Sequence, residues 1–272
     1  MPATATYLLD DVPVDLDRLI NVAEILAPEV RSGCQRAGLR PGGRALDVGC
    51  GPLGALAVLR DIVGPGGQVV GIDASTASLA AARTVLSRLG EPEVTLVPGD
   101  INTVDFSTLG GPASFDLIYS RLTLMHQPDP EVTARRFGQL LRPLGALVAF
   151  DLFAPPVTEP GYQPLDRAWQ LLTDGMRRRG AHPETSRRYA EIAAAAGLQV
   201  VSQRGAFFPV PPTVTLAETR ALLTAASASL TGLGLATPAG IDDLIARLAP
   251  GRAALRYATT PMAVELIARK LA

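Results

Sequence analysis

Two cysteines, two histidines and one tryptophan are spread over 272 residues. Cys34 and Cys50 are too few for a disulfide framework, and no His/Cys cluster has zinc spacing, so no metal is expected. Charge is sparse as well: charged residues make up 19% of the chain and the formal net charge is −1. A polyanion binder would show a basic patch, so nucleic acid is not an expected partner. The run Arg177-Arg178-Arg179 reads as a solvated helix end, where cations are favoured. No stretch approaches the roughly 18 uninterrupted apolar residues of a membrane helix. The opening segment MPATATYLLDDVPVDLDRL has acids where a signal peptide would carry lysines. A cytoplasmic chain with no membrane partner is expected. Hydrophobic residues reach 47%, enough to bury a substantial core in one large domain or one domain with an elaborated lid.

What is present is an alternation. Residues 15–38 have Leu16, Leu19, Ile20, Ala23 and Ala27 at helical spacing, with Pro28 expected to kink or divide the helix. RALDVG, QVVGID, VTLVPGD, FDLIYS and ALVAFDLF follow as apolar runs, with helical patterns near 53–62, 75–89 and 131–141 between them. Strands alternating with helices imply parallel units covered on both faces. The second half is less regular: helices near 164–179 and 185–196, a strand at LQVVSQR, helices near 215–230 and 239–248, and a last strand at MAVELIARK. The segment FAPPVTEPGYQP, 153–164, suits a loop over an active site or a boundary. The expected fold is α/β, Rossmann-like and doubly wound, with a mostly parallel seven-stranded sheet and helical lid insertions. It divides into an N-terminal helical segment over the active site (1–44), a ligand-binding core (45–152), and a segment that completes the sheet and adds a substrate-facing lid (153–272).

The stretch ALDVGCGPLG, 45–54, satisfies G-x-G-x-x-G through Gly49, Gly51 and Gly54, with Asp73 about twenty residues on. That pattern fits a dinucleotide. Three features point elsewhere. Asp47, at the end of the first strand, would add like charge to a pyrophosphate and suits a ligand with a cationic end. Asp100, after the third strand, can accept from an exocyclic amine such as that of adenine. Leu53 stands where close-approach loops often have glycine, and Pro52 lacks an N–H to grip phosphate. Asp73 can take both ribose hydroxyls. A cationic amino-acid end, a ribose and an adenine together describe S-adenosylmethionine.

In this order and spacing, ALDVGCG, VVGIDAS, LVPGDI, FDLIYSRLTLMHQPDP and LLRPLGALVAFD resemble the successive motifs of the class I S-adenosylmethionine-dependent methyltransferases, over about 45–151. The resemblance implies that Asp47, Gly49 and Gly51 line the methionine end of the cofactor, although Asp47 could equally orient the glycine loop without touching ligand. It implies Asp73 and Ala74 at the ribose, Asp100 and Ile101 beside the adenine, and Ser120 and Arg121 at the inner edge. Tyr7 would close over the cofactor from the N-terminal segment. Two positions depart from the family's pattern: Leu53 with Gly54 one step later, and Arg142-Pro143-Leu144-Gly145 where Arg-Pro-Gly-Gly is usual.

The candidate catalytic residues are His126 and Arg121. His126 lies past the fourth strand on the ligand-binding side, either as a base or as part of a helix-capping turn. Arg121 could meet a substrate carboxylate or phenolate, or pair with a neighbouring acid. His182 reads as a loop residue. Phe153, Tyr162, Trp169, Phe207 and Phe208 would wall a pocket for a small organic acceptor, or pack the lid. No Asn/Asp-Pro-Pro-Tyr run, typical of base-amine methylation, follows the fourth strand. The expected activity is methyl transfer from S-adenosylmethionine to a small organic molecule, in specialised metabolite biosynthesis. The alternatives are cyclisation or rearrangement on the same fold with bound S-adenosylmethionine, a nicotinamide-dependent oxidoreductase (no Tyr-x-x-x-Lys pair supports it), and non-catalytic binding. The sequence leaves self-association into a homodimer open.

Overall fold

The computed structural model describes residue 8 and residues 16–91, 93–158, 162–206, 209–249 and 258–272. Its strands are β1 (Arg44–Val48), β2 (Gln68–Asp73), β3 (Thr95–Pro98), β4 (Phe115–Arg121), β5 (Leu141–Thr158), β6 (Leu198–Ala206), β7 (Pro209–Val210) and β8 (Ala258–Lys270). They form one sheet in the order β3-β2-β1-β4-β5-β8-β6, with the two-residue β7 added on β8. The first five in that order run parallel; β8 is antiparallel to both β5 and β6. The seven-stranded path is the one the alternation predicts.

Burial on both faces explains the near-continuous apolar runs of the strands. Ala45, Leu117, Tyr119 and Val148 pack on one face with residues of α1 (Leu16–Arg36), α2 (Leu56–Val63) and α3 (Thr76–Arg88). Leu46, Val48, Ile118, Leu147 and Ala149 pack on the other with α4 (Pro130–Leu140) and α6 (Tyr189–Ala195). Local chemistry sets the helix starts. Ser75 caps α3 by accepting from Ser78 N–H, and Asp129 caps α4 with Pro130 at the first turn.

Two expectations are corrected. Pro28 does not divide α1, which runs through it for 21 residues. Buried Ala23, Val30 and Cys34 on both sides of the proline hold the helix to the sheet, and this packing outweighs one missing hydrogen bond. The segment 153–164 is not all loop, because β5 continues to Thr158 and pairs with β8 at Pro156↔Pro261 and Thr158↔Ala258. Irregular register on either side of Pro156 accommodates the prolines. This two-stranded extension passes beyond the parallel ladder and leads into α5 (Gln163–Arg178).

With α7 (Pro212–Gly232) and α8 (Pro238–Arg247), α5 builds a separate apolar cluster around Leu165, Leu172, Leu223, Leu230 and Ile241. Leu8 is buried in it, and its carbonyl accepts from the Ser229 hydroxyl at 3.0 Å. Beneath α1, the buried Glu265 of β8 pairs with Arg36 at 2.5 Å and faces Arg204 at 3.6 Å. No described helix is long and apolar enough to cross a membrane.

Candidate functional site

The strand order reverses between β1 and β4, where crossovers lead away in opposite directions. The crevice at the carboxyl ends of these neighbours is where open α/β sheets take ligands. Register places Asp47 opposite Tyr119 and Val48 opposite Ser120, so the glycine loop and the Ser120–Arg121 pair flank one opening.

The loop is built by its glycines and by Asp47. Gly49, Gly51 and Gly54 have φ of +68°, +54° and +51°, a region that suits glycine. Asp47 is 1% exposed and its Oδ2 accepts the Ala55 N–H at 2.7 Å. A Cβ on Gly54 would stand 2.5 Å from that same oxygen and from the Cys50 carbonyl. Glycine is therefore required one step later than usual, while Leu53 turns into the core. Of the two roles for Asp47, the loop-orienting hydrogen bond is present. Burial pushes its carboxyl up to about 7, against the lowering effect of the Ala55 N–H and of Arg121.

Asp73, at the end of β2, is only half-buried. Its Oδ2 accepts Gly51 N–H and its Oδ1 accepts Ser75 N–H, both at 2.8 Å. These bonds fix the plane of the carboxylate and leave each oxygen a second lone pair. Burial raises its pKa, and the two N–H groups oppose that. Beside it, a Cβ on Gly51 would meet nothing within 4 Å, so the loop is open there. Ala74 is exposed next to Asp73. Asp100 is exposed and bonds Asn102 through N–H and Nδ2, which also reaches Gln127. Ile101 is 4% exposed and packs in the core with Leu46, Val48 and Ile72, so its side chain is chiefly a core residue.

On the β4 side, Ser120 Oγ and Arg121 Nη1 are buried without a hydrogen-bond partner among the described residues. The chain then turns sharply at Leu122, whose φ is +52°. The turn carries Thr123 against the loop. Its hydroxyl bonds the carbonyls of Val48 (3.1 Å) and Arg121 (3.0 Å), and a Cβ on Gly49 would fall on its side chain. His126 ends the one-turn 3-10 helix Leu124–His126. Burial pushes its imidazole down to about 4, so it is neutral at physiological pH. His182 donates its N–H to Met125 O and sits 3.1 Å from Pro128 O through Nε2.

Tyr162 and Trp169 pack against the lid cluster of α5, α7 and α8. The Tyr162 hydroxyl donates to Arg247 O at 2.9 Å, and Trp169 Nε1 is buried without a partner among the described residues. Their contacts are those of lid packing. Phe153 lies in the backbone of β5, but its side chain, like Tyr7, Phe207 and Phe208, falls outside the described residues. Among the described residues no group of His, Cys, Asp and Glu could hold a metal ion. A cleft at the amino ends of β1–β3 is lined by Arg44 and Arg60, and both are already engaged: Arg60 with Glu91 and Glu93, Arg44 with Leu109 O and the Phe115 ring.

Sequence reasoning missed Thr123 and Asp151. Thr123 carries no signal apart from its place after a strand. Asp151 does: it is a lone acid inside the apolar run ALVAFDLF, on a strand buried on both faces. Burial raises its carboxyl to about 7.

A family model described as a methyltransferase domain matches residues 39–159. The chain is 32% identical over 145 residues to a nocamycin O-methyltransferase from Saccharothrix syringae, covering 52% of this chain and 50% of that one. It is 30% identical over 158 residues to an arsenite methyltransferase from Aquipseudomonas alcaligenes, covering 57% and 43%. The chain thus spans about half the length of these curated relatives. A solved structure of a protein from Bacillus halodurans, described as a methyltransferase, superposes with a TM-score of 0.63 at 17% identity, over 90% of this chain and all of that one. At that identity the likeness speaks for the fold alone.

Proposed function

We propose that residues 39–159, which match a methyltransferase-domain model, form a class I, S-adenosylmethionine-dependent methyltransferase domain, and that the chain transfers a methyl group from S-adenosylmethionine to a small organic acceptor. The observation that carries this reading is Asp73: a half-exposed carboxylate at the end of β2, its plane fixed by Gly51 and Ser75 N–H, next to an open glycine loop. The residues fit the cofactor. Two spare carboxylate lone pairs suit a vicinal diol, the space beside Gly51 admits close approach, and Ser120 and Arg121 offer unpartnered polar atoms across the crevice. Asp73 and Ala74 would hold the ribose, Asp100 and the backbone near Ile101 the adenine, and Gly49, Gly51, Ser120 and Arg121 the methionine end. Asp47 serves by fixing the loop.

When bound, the cofactor supplies a methyl carbon activated by a sulfonium. The chain contributes position and exclusion of water, and holding reactants in line can lower a barrier by ~7–11 kcal/mol in the best intramolecular cases. Arg121, with Nη1 unpaired, would orient an acidic acceptor by its oxygen. His126, neutral because it is buried, can accept a proton but holds it weakly. Turnover of His126→Ala separates the roles: a loss near ~100-fold marks a base, a modest one a turn residue. Relatives named for O-methyl transfer support a small acceptor, in keeping with specialised metabolism. The weakness of His126 as a base is the one observation that favours the second reading, cyclisation or rearrangement on the same fold.

Calorimetric titration with S-adenosylhomocysteine, S-adenosylmethionine and NADH tests the proposal. Micromolar binding of the two sulfur ligands without NADH is expected, and NADH binding alone would overturn it. Binding of S-adenosylmethionine with conversion of an acceptor but no methyl transfer would favour the second reading.

A further inference from the structure

Asp151 is a carboxyl in a place where apolar packing would be cheaper. It lies on β5 one residue past the β4–β5 ladder, which ends at Arg121↔Phe150, and it is 1% exposed. Neither of its oxygens makes a hydrogen bond of normal geometry among the described residues. Its nearest polar neighbours are the Tyr189 hydroxyl of α6 and the N–H groups of Thr123 and Met125, all placed to favour the ionised form. Tyr189 is itself fully buried, and its hydroxyl makes no hydrogen bond of normal geometry. A buried carboxyl is costly unless it is used, because desolvation disfavours its charge.

The use is visible one link away. The segment after β4 is strained: Leu122 is a non-glycine residue at φ +52°, in the left-handed region that L-residues avoid. Its N–H is held by Phe150 O at 2.8 Å, from the residue just before Asp151. The Thr123 side chain then bonds Val48 O and occupies the space beside Gly49. A continuous path of contacts therefore runs from β5 beside Asp151, through the Leu122–Thr123 turn, to the glycine loop.

We propose that Asp151 is a positioning residue: its buried carboxylate, facing the Thr123 and Met125 N–H groups, keeps the strained turn seated and so sets the glycine loop for cofactor. This rests on reading the loop as the S-adenosylmethionine site. Other groups around Asp151 are accounted for. From β4, Ser120 lies on the same face; from β8, Val264 is in register and Glu265 lies on the opposite face with Arg36 and Arg204; the 185–188 turn contributes the Ser186 hydroxyl, bonded to Leu152 O; and the Leu124–His126 turn brings the neutral His126. Asp47, on the other face, also titrates near 7, so the assignment depends on what Asp151→Asn removes.

The experiment is calorimetric titration of S-adenosylhomocysteine into wild type, Asp151→Asn and Tyr189→Phe from pH 5.5 to 8.5, with amide hydrogen exchange of the 122–126 segment in parallel. Wild type should tighten about tenfold as pH rises through 7. Asp151→Asn should stay near the wild type's low-pH affinity, with faster exchange at Thr123 and Met125. Tyr189→Phe, which removes the hydroxyl that favours the ionised carboxylate, should move the wild-type step to higher pH. Wild-type affinity and exchange in Asp151→Asn would overturn the proposal. If wild type binds no S-adenosylhomocysteine at any pH, the cofactor reading fails by itself; the positioning role is then decided by exchange, and unchanged protection of Thr123 and Met125 in the variants overturns it.

Discussion

The acids at the ends of β1 and β2 and the acids of the outer strands are held in opposite ways. Asp47 is fixed by the backbone N–H of Ala55, eight residues on, and Asp73 by those of Gly51, twenty-two residues before it, and Ser75, two residues after it. Glu265 on β8 is held by arginine side chains, Arg36 from α1 and Arg204 from β6. Backbone donors cannot be retracted without refolding a loop, so they give a carboxylate a fixed plane and a spare face for ligand. Side-chain donors tie the charge to neighbouring elements: both arginines meet Oε1 of Glu265, one from α1 and one from β6. On the proposed function, the inner half of the sheet presents acids to a ligand and the outer half holds the layers together.

Exchanging an acid in each half should separate the two jobs. Asp73→Ala carries the largest expected effect. Two hydrogen bonds to an ionised acceptor are worth about 1.5–3 kcal/mol each, so affinity for S-adenosylhomocysteine should fall at least ~100-fold, while the fold survives with a melting temperature lowered by a few degrees because the Gly51 and Ser75 N–H groups exchange their acceptor for water. Near-normal affinity would mean that ribose does not sit on Asp73. Glu265→Ala should do the reverse. Removing one side of a buried pair costs ~3–5 kcal/mol, discounted here to about 2 because Arg36 and Arg204 are partly exposed. Denaturant unfolding should show that loss with cofactor affinity kept within about twofold. A parallel loss of affinity would show that the two halves are coupled and that the division of labour is wrong.

The same contrast explains what the sequence could tell. In the inner half, partners lie two to twenty-two residues apart, and the glycines that permit close approach leave their spacing in the chain. The order of motifs, the acids and the doubly wound sheet were all legible for that reason. Even the offset at Leu53-Gly54 has a local cause, the approach of Gly54 to Asp47. In the outer half, Arg36 and Glu265 are 229 residues apart, and nothing local marks them as a pair. β5 runs on through Pro156 because β8 is there to pair with it. Pro28 sits in an unbroken helix because the sheet beneath it outweighs local preference. Tyr162 and Trp169 could be read as pocket walls or as lid packing, because an aromatic in a lid has the same sequence signature whichever way it faces; the fold shows their contacts with the lid cluster. Asp151 was visible as a charge in an apolar strand, but its neighbours Thr123 and Tyr189 come from other elements and only the fold brings them together.

The smallest expected effect compares the two halves at the level of one backbone angle. Leu144, at the entry to β5, has φ +65° and is 59% exposed, so its side chain contributes little packing while its backbone sits where L-residues are strained. Gly51 in the inner half has φ +54°, and a Cβ there would touch nothing within 4 Å. Leu144→Gly should therefore stabilise the protein and Gly51→Ala destabilise it, each by about 0.5–1 kcal/mol, since steric strain exceeds the entropy cost of glycine at such angles. For a chain of this size that is a change of roughly 1–4 °C in melting temperature, of opposite sign in the two variants. The Arg269 Nη1 contact to the Leu144 carbonyl, at 2.8 Å, belongs to the backbone and survives the first substitution. If Leu144→Gly fails to gain, the turn into β5 is relaxed as it stands, and leucine in place of the family's usual glycine carries no strain. If Gly51→Ala costs far more than this in the unliganded protein, the loop is closed by contacts and is not the open cradle on which cofactor binding depends.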